Sequence, residues 1–360
     1  MLKPNAAGFI YGSSDHHLDH IAPLCILMDI PLLVTEEALL EKANKYYPQL
    51  ITHHASELNL SAYIAKHFDV LFSCLPAVVL SQIFTTIEHL YNKKITSIWC
   101  PHGSSDKGLH NAFQTGIENE RLALVYGQKM RDFFLSQKVF PNLKKAIGVG
   151  NYRHRIYSNV KRFYIDLFEQ KIASQFTDQK DLILYAPTWS DGIESTVFFD
   201  ACPILIENLP ENYNLLIKAH PNLTIQHMLE FERLTAEYHS HPQVCFIHDF
   251  PLIYPILDHT SIYLGDRSSI GYDFLTYNRP MLFIGTQMNN PLTNCGLRLE
   301  HDEIEDVFNV LADHLKEDQT HFEQERKELY EYTFDPIPDD LVLKEQLHRL
   351  YKDYHQENLI

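Results

Sequence analysis

Short apolar runs alternate along the chain with longer segments of helical periodicity, and this alternation restricts the fold more than any other sequence feature. The runs are rich in Ile, Val, Leu and Tyr, which is typical of buried strands. No repeat with a period of about 20 to 50 residues interrupts the pattern. Strands that alternate with helices form parallel sheets, because a helix returns the chain to the start of the next strand. The sequence therefore predicts an α/β fold.

The predicted strands fall into two series, and each series predicts one doubly wound sheet. The first comprises Gly8–Gly12, Pro31–Thr35, Asp69–Cys74, Thr96–Cys100, Leu122–Tyr126 and Lys145–Val149. The second comprises Leu182–Ala186, Asn214–Lys218, Val244–His248, Ser261–Gly265 and Pro280–Ile284. Predicted helices include Pro76–Tyr91, Gln128–Gln137, Ile225–Tyr238, Pro251–Asp258 and Ser269–Tyr277. The 360 residues, with 45% hydrophobic content, suffice for about two such domains.

The two series predict four segments along the chain. A first Rossmann-like domain spans 1–151, a charged helical connector spans 152–180, a second Rossmann-like domain spans 181–335, and a C-terminal helix spans 336–360. That helix follows the proline-rich stretch Asp335–Asp340, where proline cannot continue a helix. We expect it to pack back on the first domain. Two such domains facing a cleft bind ligands beyond the carboxyl ends of their strands, so site residues should follow strands.

Charge and cysteine usage restrict the partners and the compartment. Thirty Lys and Arg against 47 Asp and Glu give a net charge of −17, which repels a phosphate backbone, so we expect no nucleic-acid partner. The six cysteines form no C-x-x-C pair, which indicates reduced thiols in the cytoplasm. No leader or membrane-spanning run is evident. The sequence is compatible with peripheral association at the inner face of the cell membrane.

The segment YLGDRSSIGYDFLTYNRPMLFIG, residues 263–285, is the most distinctive polar cluster. It passes from a strand through Asp266 and Arg267 to Ser268 and Ser269, where a helix begins. The N–H groups at the helix start, the two hydroxyls and the guanidinium would form an anion site suited to a diphosphate. The alternative is that a serine merely caps the helix.

A second cluster lies in NLLIKAHPNL, residues 214–223, where a strand delivers Lys218 and His220 to its carboxyl end. Residues two apart on a strand share one side, so both side chains can reach a phosphate. The alternative is a surface lysine beside a histidine that caps the next turn. The position at a strand end favours ligand binding.

The third cluster, SIWCPHGSSDKG at residues 97–108, again follows a strand. Its His102 has the chemistry of a general base for an alcohol, because an unperturbed imidazole has a pKa of about 6.5. Asp106 is close enough in sequence to orient the ring. The alternative is a solvated loop histidine.

The fourth cluster is YGSSDHHLDH, residues 11–20, with three histidines after the first strand. His16 and His20 are four residues apart and could share a helix face, so a metal site and lining of the cleft are the two alternatives for this cluster. Chance clusters are common among 21 histidines and no further ligand set is evident, so we expect no metal here. His16 and His17 are instead candidates for the acceptor side. The P-loop, dinucleotide-binding, nucleophile-elbow and H-E-x-x-H signatures are absent from the sequence.

Four elements in the second half of the chain, read in order, resemble the CDP-glycerol glycerophosphotransferase family, which builds teichoic acids and related capsule polymers. They are LYAPTW at 184–189, KAHP at 218–221, GDRSSIGYDF at 265–274 and the NRPMLF that follows. The resemblance spans about Ile98 to Ile284. It implies a GT-B fold with two facing Rossmann-like domains, of which the second binds a CDP-linked donor.

The resemblance also implies roles for individual residues. The diphosphate would contact His220, Ser268 and Ser269, while Asp266 and Asp273 shape the turn. The remaining implied residues are His102, which would be the base, and Lys107, which matches the lysine of the family's W-H-G-T-P-L-K motif.

The chain departs from the family pattern at four places. Cys100 and Pro101 separate Trp99 from His102, and Ser104–Ser105 replaces Thr-Pro. Ser190 stands where the family has arginine, and Arg267 replaces tyrosine. These departures leave the acceptor and the transferred group open.

The resulting expectation is a transferase that moves a glycerol-phosphate-like group from a CDP-linked donor to a hydroxyl acceptor and releases CMP in cell-surface polymer synthesis. The acceptor would be a polyol, a sugar or a lipid-linked molecule. Two alternatives stay open: a GT-B glycosyltransferase or epimerase that uses a sugar nucleotide, and a non-catalytic nucleotide-binding subunit. We expect no cofactor, because the nucleotide-linked donor is itself a substrate.

Overall fold

The computed structural model describes residues 5–104, 117, 119–136, 143, 145–189, 196–247, 249–285 and 290–357. The predicted site residues Asp106 and Lys107 lie outside these ranges. The chain divides into two compact units. The first contains residues up to 102, the chain from 108 to 159 and the C-terminal part from 332, and the second contains 103–107 and 160–331. Among the described helices, none combines the length and the apolarity needed to cross a membrane.

The first unit contains a parallel sheet. Its described strands are β1 (Ala6–Ile10), β2 (Leu32–Val34), β3 (Thr52–His54), β4 (Val70–Ser73), β5 (Thr96–Trp99), β6 (Leu122–Val125) and β7 (Lys145–Gly148). They are ordered β3-β2-β1-β4-β5-β6-β7. The described helices of this unit are α1 (Leu18–Met28), α2 (Glu37–Tyr46), α3 (Glu57–His67), α4 (Ser81–Tyr91), α5 (Gln128–Ser136) and α6 (Tyr152–Asn159), with α15 (Asp340–Glu357) at the C-terminus.

β1 is buried along its whole length, as expected for a strand covered on both faces. Gly8 lets α1 pack closely on it, since a Cβ at Gly8 would lie 2.2 Å from Sγ of Cys25 and 2.6 Å from Cγ2 of Ile21. This close approach matters for the site, because α1 and the 3₁₀ turn before it carry three of the histidines singled out in the sequence.

Two predictions for the first unit are corrected by the structure. β3 was missed, because its sequence Thr-His-His is polar and half-buried at the edge of the sheet, so no apolar run marks it. α4 begins at Ser81 rather than at Pro76, because the residues from Ala77 to Leu80 form turns. Other strand boundaries differ from the predictions by one or two residues.

The second unit contains another parallel sheet. Its described strands are β8 (Asp181–Ala186), β9 (Tyr213–Ile217), β10 (Val244–Phe246), β11 (Thr260–Gly265), β12 (Met281–Ile284) and β13 (Leu297–Leu299). They are ordered β10-β9-β8-β11-β12-β13, which repeats the order of the first sheet without its seventh strand. The described helices are α7 (Lys161–Lys171), α8 (Phe198–Glu207), α9 (Pro221–Gln226), α10 (Met228–Tyr238), α11 (Tyr254–His259), α12 (Ser269–Phe274), α13 (Val307–His314) and α14 (Thr320–Thr333), whose last residues belong to the first unit.

The predicted helix Ile225–Tyr238 is two helices that meet at His227. α9 begins at Pro221, a residue whose fixed φ suits the first helical position. β13 was missed because Leu-Arg-Leu is too short to produce a strand signal. The predicted connector 152–180 divides at residue 160, with α6 in the first unit and α7 in the second.

The C-terminal segment after α14 packs within the first unit. α15 contacts α1 and β7. Before it, Arg131 forms an ion pair with Asp335, and Arg155 donates to the carbonyl of Pro338 at 2.7 Å. Gly127 allows the backbone of this segment to approach, because a Cβ there would lie 2.6 Å from the carbonyl oxygen of Thr333.

Candidate functional site

The first unit gathers polar side chains where the strand order changes direction. β1 lies between β2 and β4, and β5 follows β4 in the sheet. Loops at such a point open a crevice at the carboxyl edge of the sheet. His17 follows β1, Cys74 follows β4 and His102 follows β5, and a ligating atom of each lies within 4.8 Å of the other two.

Four imidazoles meet at this edge of the first sheet. The ring centroid of His102 lies 5.1 Å from that of His17, 6.1 Å from that of His16 and 6.5 Å from that of His20. His17 and His20 are buried, His102 is half-buried and His16 is exposed. The structure thus brings the predicted base and both acceptor-side candidates into one cluster.

Burial keeps the inner histidines of this cluster neutral. Burial, followed by the neighbouring His16 and His102, lowers the pKa of His17 to about 2. The pKa of His20 is also well below its usual value, first through burial and then through the charge of Arg153. A neutral imidazole keeps a lone pair on one ring nitrogen, which can accept a hydrogen bond.

A hydrogen-bond chain orients His20. The hydroxyl of Tyr126 donates to the carbonyl of Pro101 at 3.3 Å, and Nδ1 of His20 lies 2.8 Å from the same hydroxyl oxygen. The Tyr126 hydroxyl therefore bridges the imidazole of His20 and the carbonyl of Pro101. The chain therefore links the histidine turn to the loop that carries His102.

A buried ion pair holds the histidine turn in place. Arg153, on α6, donates through Nε to the carbonyl of Asp19 at 2.9 Å and forms an ion pair with its carboxylate. The same carboxylate accepts a hydrogen bond from Tyr47 at 2.8 Å. Tyr152 donates to the carbonyl of His20 at 2.8 Å. Both side chains are buried, so these hydrogen bonds, and not water molecules, compensate the two charges.

Glu120 lies in the first unit just before β6, where 1% of its surface is exposed. Its carboxyl accepts the N–H of Ala77 at 2.5 Å. Burial raises the pKa of Glu120 to about 7, partly opposed by that hydrogen bond. The folded protein thus holds this proton at a pH where the unfolded chain has released it.

We expect Glu120 to make the wild-type free energy of unfolding fall as pH rises from about 4.5 to about 7, by about 3 kcal/mol in total. Below this pH range Glu120 is protonated in both the folded and the unfolded state. Above it, the folded state carries a buried Glu120 carboxylate. In Glu120→Gln the side-chain amide oxygen still accepts the N–H of Ala77. The variant has no carboxyl to titrate there, so this fall in the free energy of unfolding should disappear. Urea titrations at pH 5 and pH 8 measure it, with the exposed Glu88→Gln as control. Equal declines in wild type and Glu120→Gln would contradict the prediction.

The second unit presents a comparable edge, formed by the ends of β8, β9 and β11. Asp266 follows β11, and its Oδ2 accepts the N–H of Thr188, which follows β8, at 2.9 Å. β8 and β11 are neighbours at the point where the strand order changes direction. The role of Asp266 in the structure is therefore to join the two loops at the carboxyl edge.

His220 follows β9 and has a defined tautomer. Its Nδ1 accepts the N–H of Asn222 at 3.1 Å, so the neutral ring carries its proton on Nε2. The ring stacks on Trp189, with centroids 6.0 Å apart and an angle of 30° between planes. Nε2–H is a fixed hydrogen-bond donor of the kind that a phosphate oxygen accepts.

The remaining predicted donor residues lie around the ends of β9 and β11. Ser268 is buried and caps α12, because its Oγ accepts the N–H of Ile270 at 3.3 Å. Asp273 is buried and accepts the hydroxyl of Tyr254 at 3.0 Å. Lys218 donates to the carbonyl of Phe250 at 3.2 Å. The other two, Arg267 and Ser269, are half-buried.

Sequence reasoning missed several residues of these sites. Cys74 and Arg153 lie in segments without a motif, and only the strand order places them beside the histidines. The sequence gives Trp189 no role, although it stands three residues after the end of a predicted strand. That position is the signal that could have marked it as a partner for a histidine at a neighbouring strand end.

The two sheets, each parallel with interleaved helices, define an α/β protein of the GT-B type, and solved structures support this class. The wall teichoic acid polymerase TagF matches with a TM-score of 0.66 and 13% identity, over 99% of this chain and 90% of that chain. The UDP-GlcNAc 2-epimerase from Neisseria meningitidis, bound to UDP-GlcNAc, matches with a TM-score of 0.59 and 12% identity, over 90% of this chain and 95% of that chain. The predicted fold class is confirmed.

Within that class, residues 166–290 match the family model described as CDP-Glycerol:Poly(glycerophosphate) glycerophosphotransferase. The teichoic acid glycerol-phosphate primase of Bacillus subtilis (strain 168) is 25% identical over 221 residues, which are 57% of this chain and 55% of that protein. The chain therefore matches about half the length of this curated relative. These findings confirm the predicted resemblance to the CDP-glycerol glycerophosphotransferase family.

Proposed function

We propose that the protein transfers a glycerol-phosphate group from CDP-glycerol to a hydroxyl of a growing cell-surface polymer and releases CMP. The observation that carries the proposal is the family match over residues 166–290, which contain the strand-end residues of the second unit. All six cysteines are free and buried, which fits a reducing compartment, and the proposal assigns the reaction to the cytoplasm.

The second unit would bind the donor. His220 offers Nε2–H as a donor of fixed direction, and Arg267 supplies positive charge on the adjacent loop. Ser268 caps α12 through Oγ, which places its hydroxyl at the start of that helix, beside Arg267. Hydrogen bonds of this kind to a charged diphosphate are among the stronger ones in proteins.

The first unit would activate the acceptor. The acceptor hydroxyl gives its proton to His102 while its oxygen attacks the phosphorus that carries glycerol. The bond from that phosphorus to the bridging oxygen breaks, and CMP leaves with the electron pair. The product is a phosphodiester, so atoms and charge balance without a redox partner. Imidazole near neutral pH suits the base because it is unprotonated before the step and accepts a proton during it.

The test measures CMP release with CDP-glycerol and acceptors that end in glycerol phosphate or a sugar, together with thermal shifts for CDP-glycerol, CMP, UDP and UDP-sugars. We expect stabilisation by the cytidine ligands and CMP release with at least one acceptor. Stabilisation by uridine nucleotides alone would favour a sugar-nucleotide enzyme, as the epimerase of similar fold is. Tight donor binding without CMP release from any acceptor would indicate a non-catalytic subunit.

His220→Ala and Ser268→Ala should each weaken CDP-glycerol binding by about ten-fold, because one hydrogen bond to a charged phosphate contributes about 1–3 kcal/mol. Calorimetric titration of the donor measures the change. His239→Ala, at an exposed histidine of the same unit, is the matched control and should bind as wild type. Wild-type affinity in both test variants would place the diphosphate elsewhere.

A further inference from the structure

His17, Cys74 and His102 form a compact set of two imidazoles and one thiol within the first unit. Their ligating atoms all lie within 4.8 Å of one another. The three residues follow three different strands, β1, β4 and β5, so the set is formed by the sheet and not by local sequence. His17 and Cys74 are buried, and His102 is half-buried.

We propose that His17, Cys74 and His102 bind one zinc ion. Imidazole nitrogen and thiolate sulfur are the ligands that Zn²⁺ prefers, whereas Mg²⁺ and Ca²⁺ require oxygen ligands. This set differs from the pair His16 and His20 that the helical spacing suggested, because Cys74 has no signal in the sequence.

Zinc coordination needs only small movements of these side chains. Bonds of about 2.0–2.3 Å in a tetrahedron place ligand atoms roughly 3.3–3.6 Å apart. The thiol of Cys74 now donates to the carbonyl of Pro101 at 3.9 Å, which holds it on the side of the loop that carries His102. On binding, the thiol proton passes to solvent and the thiolate bonds to zinc. Among the described residues no fourth His, Cys or carboxylate joins this set, so water takes the remaining position.

Zinc at this site would stop transfer, because the lone pair of His102 that accepts the acceptor proton would be bound to the metal. This consequence rests on the proposed function. The binding of zinc itself does not rest on that function, since it depends only on the three side chains. Failure of the proposed function would therefore leave the metal site testable by direct binding.

The experiment titrates the full chain, stripped with a chelator, with Co²⁺ and then with Zn²⁺. We expect one Co²⁺ per chain, with a thiolate-to-cobalt charge-transfer band in the near ultraviolet that stoichiometric Zn²⁺ removes. Cys74→Ser should lose the band and weaken metal binding at least ten-fold. The matched control is Cys25→Ser, a buried thiol that likewise donates to a proline carbonyl, at 3.7 Å, and it should keep the band.

His102→Gln provides a second variant, since His102 is half-buried and its replacement leaves the core intact. It should also weaken Co²⁺ binding at least ten-fold, with circular dichroism confirming the fold. Absence of a charge-transfer band in the wild type overturns the proposal. So does a band that persists in Cys74→Ser, because another cysteine would then be the ligand.

Discussion

His102→Ala should lower kcat by about 10² or more at saturating donor, while the affinity for CDP-glycerol stays within a few-fold of wild type. A general base contributes about 10²–10⁴ to the rate because the acceptor oxygen must lose its proton as it attacks phosphorus. Donor affinity should be retained because the proposed diphosphate contacts lie on other residues, in the second unit. CMP release under saturating donor measures the first quantity, and calorimetry measures the second.

The control for this experiment is His54→Ala, because His54 lies on β3 and its Nε2 contacts the carbonyl of Thr35 at 3.1 Å, outside the histidine cluster. Its kcat should stay near wild type. A kcat within a few-fold of wild type in His102→Ala would exclude His102 as the base. His16→Ala then tests the next candidate, because its exposed ring lies 6.1 Å from that of His102, whereas a pKa of about 2 makes the nearby His17 a weak base.

Arg153→Met should lower the free energy of unfolding by about 3–5 kcal/mol, which is the largest stability effect we expect from one substitution in this chain. Methionine fills much of the volume of arginine but leaves the Asp19 carboxylate buried without the guanidinium that pairs with it, although the carboxylate still accepts the hydrogen bond from Tyr47. An uncompensated buried charge costs far more than the loss of an exposed ion pair. Urea unfolding at pH 7 measures the change.

Two further variants separate the buried charge from general damage to packing. Asp19→Asn combined with Arg153→Met should recover part of the lost stability, because the carboxylate that Arg153 leaves behind is then neutral. Arg162→Met is the control: its pair with Asp166 is exposed, with 85% and 43% of the side chains accessible, and its loss should cost well under 1 kcal/mol. An Arg153→Met change as small as this control would contradict the prediction.

Much of the fold can be predicted from the sequence because buried parallel strands leave a direct signal. The runs that became β1, β8 and β11 are apolar on both faces, and each is followed by a segment with helical periodicity. Strands without that signal were missed: β3 is polar, and β13 has three residues. Helix starts were less predictable, because turn residues such as those before Ser81 share helical periodicity with the helix that follows.

The sequence by itself determined the fold class, because hydrophobic periodicity is a local property that can be read from consecutive residues. It also located polar residues such as His102, His220 and Ser268 at strand ends. Only the tertiary structure decided which of them meet. Sheet order is set by packing between distant segments, so the approach of Cys74 to His17 and His102 has no local signal. The same is true of Arg153 and Asp19, which are 134 residues apart in sequence and paired inside one unit.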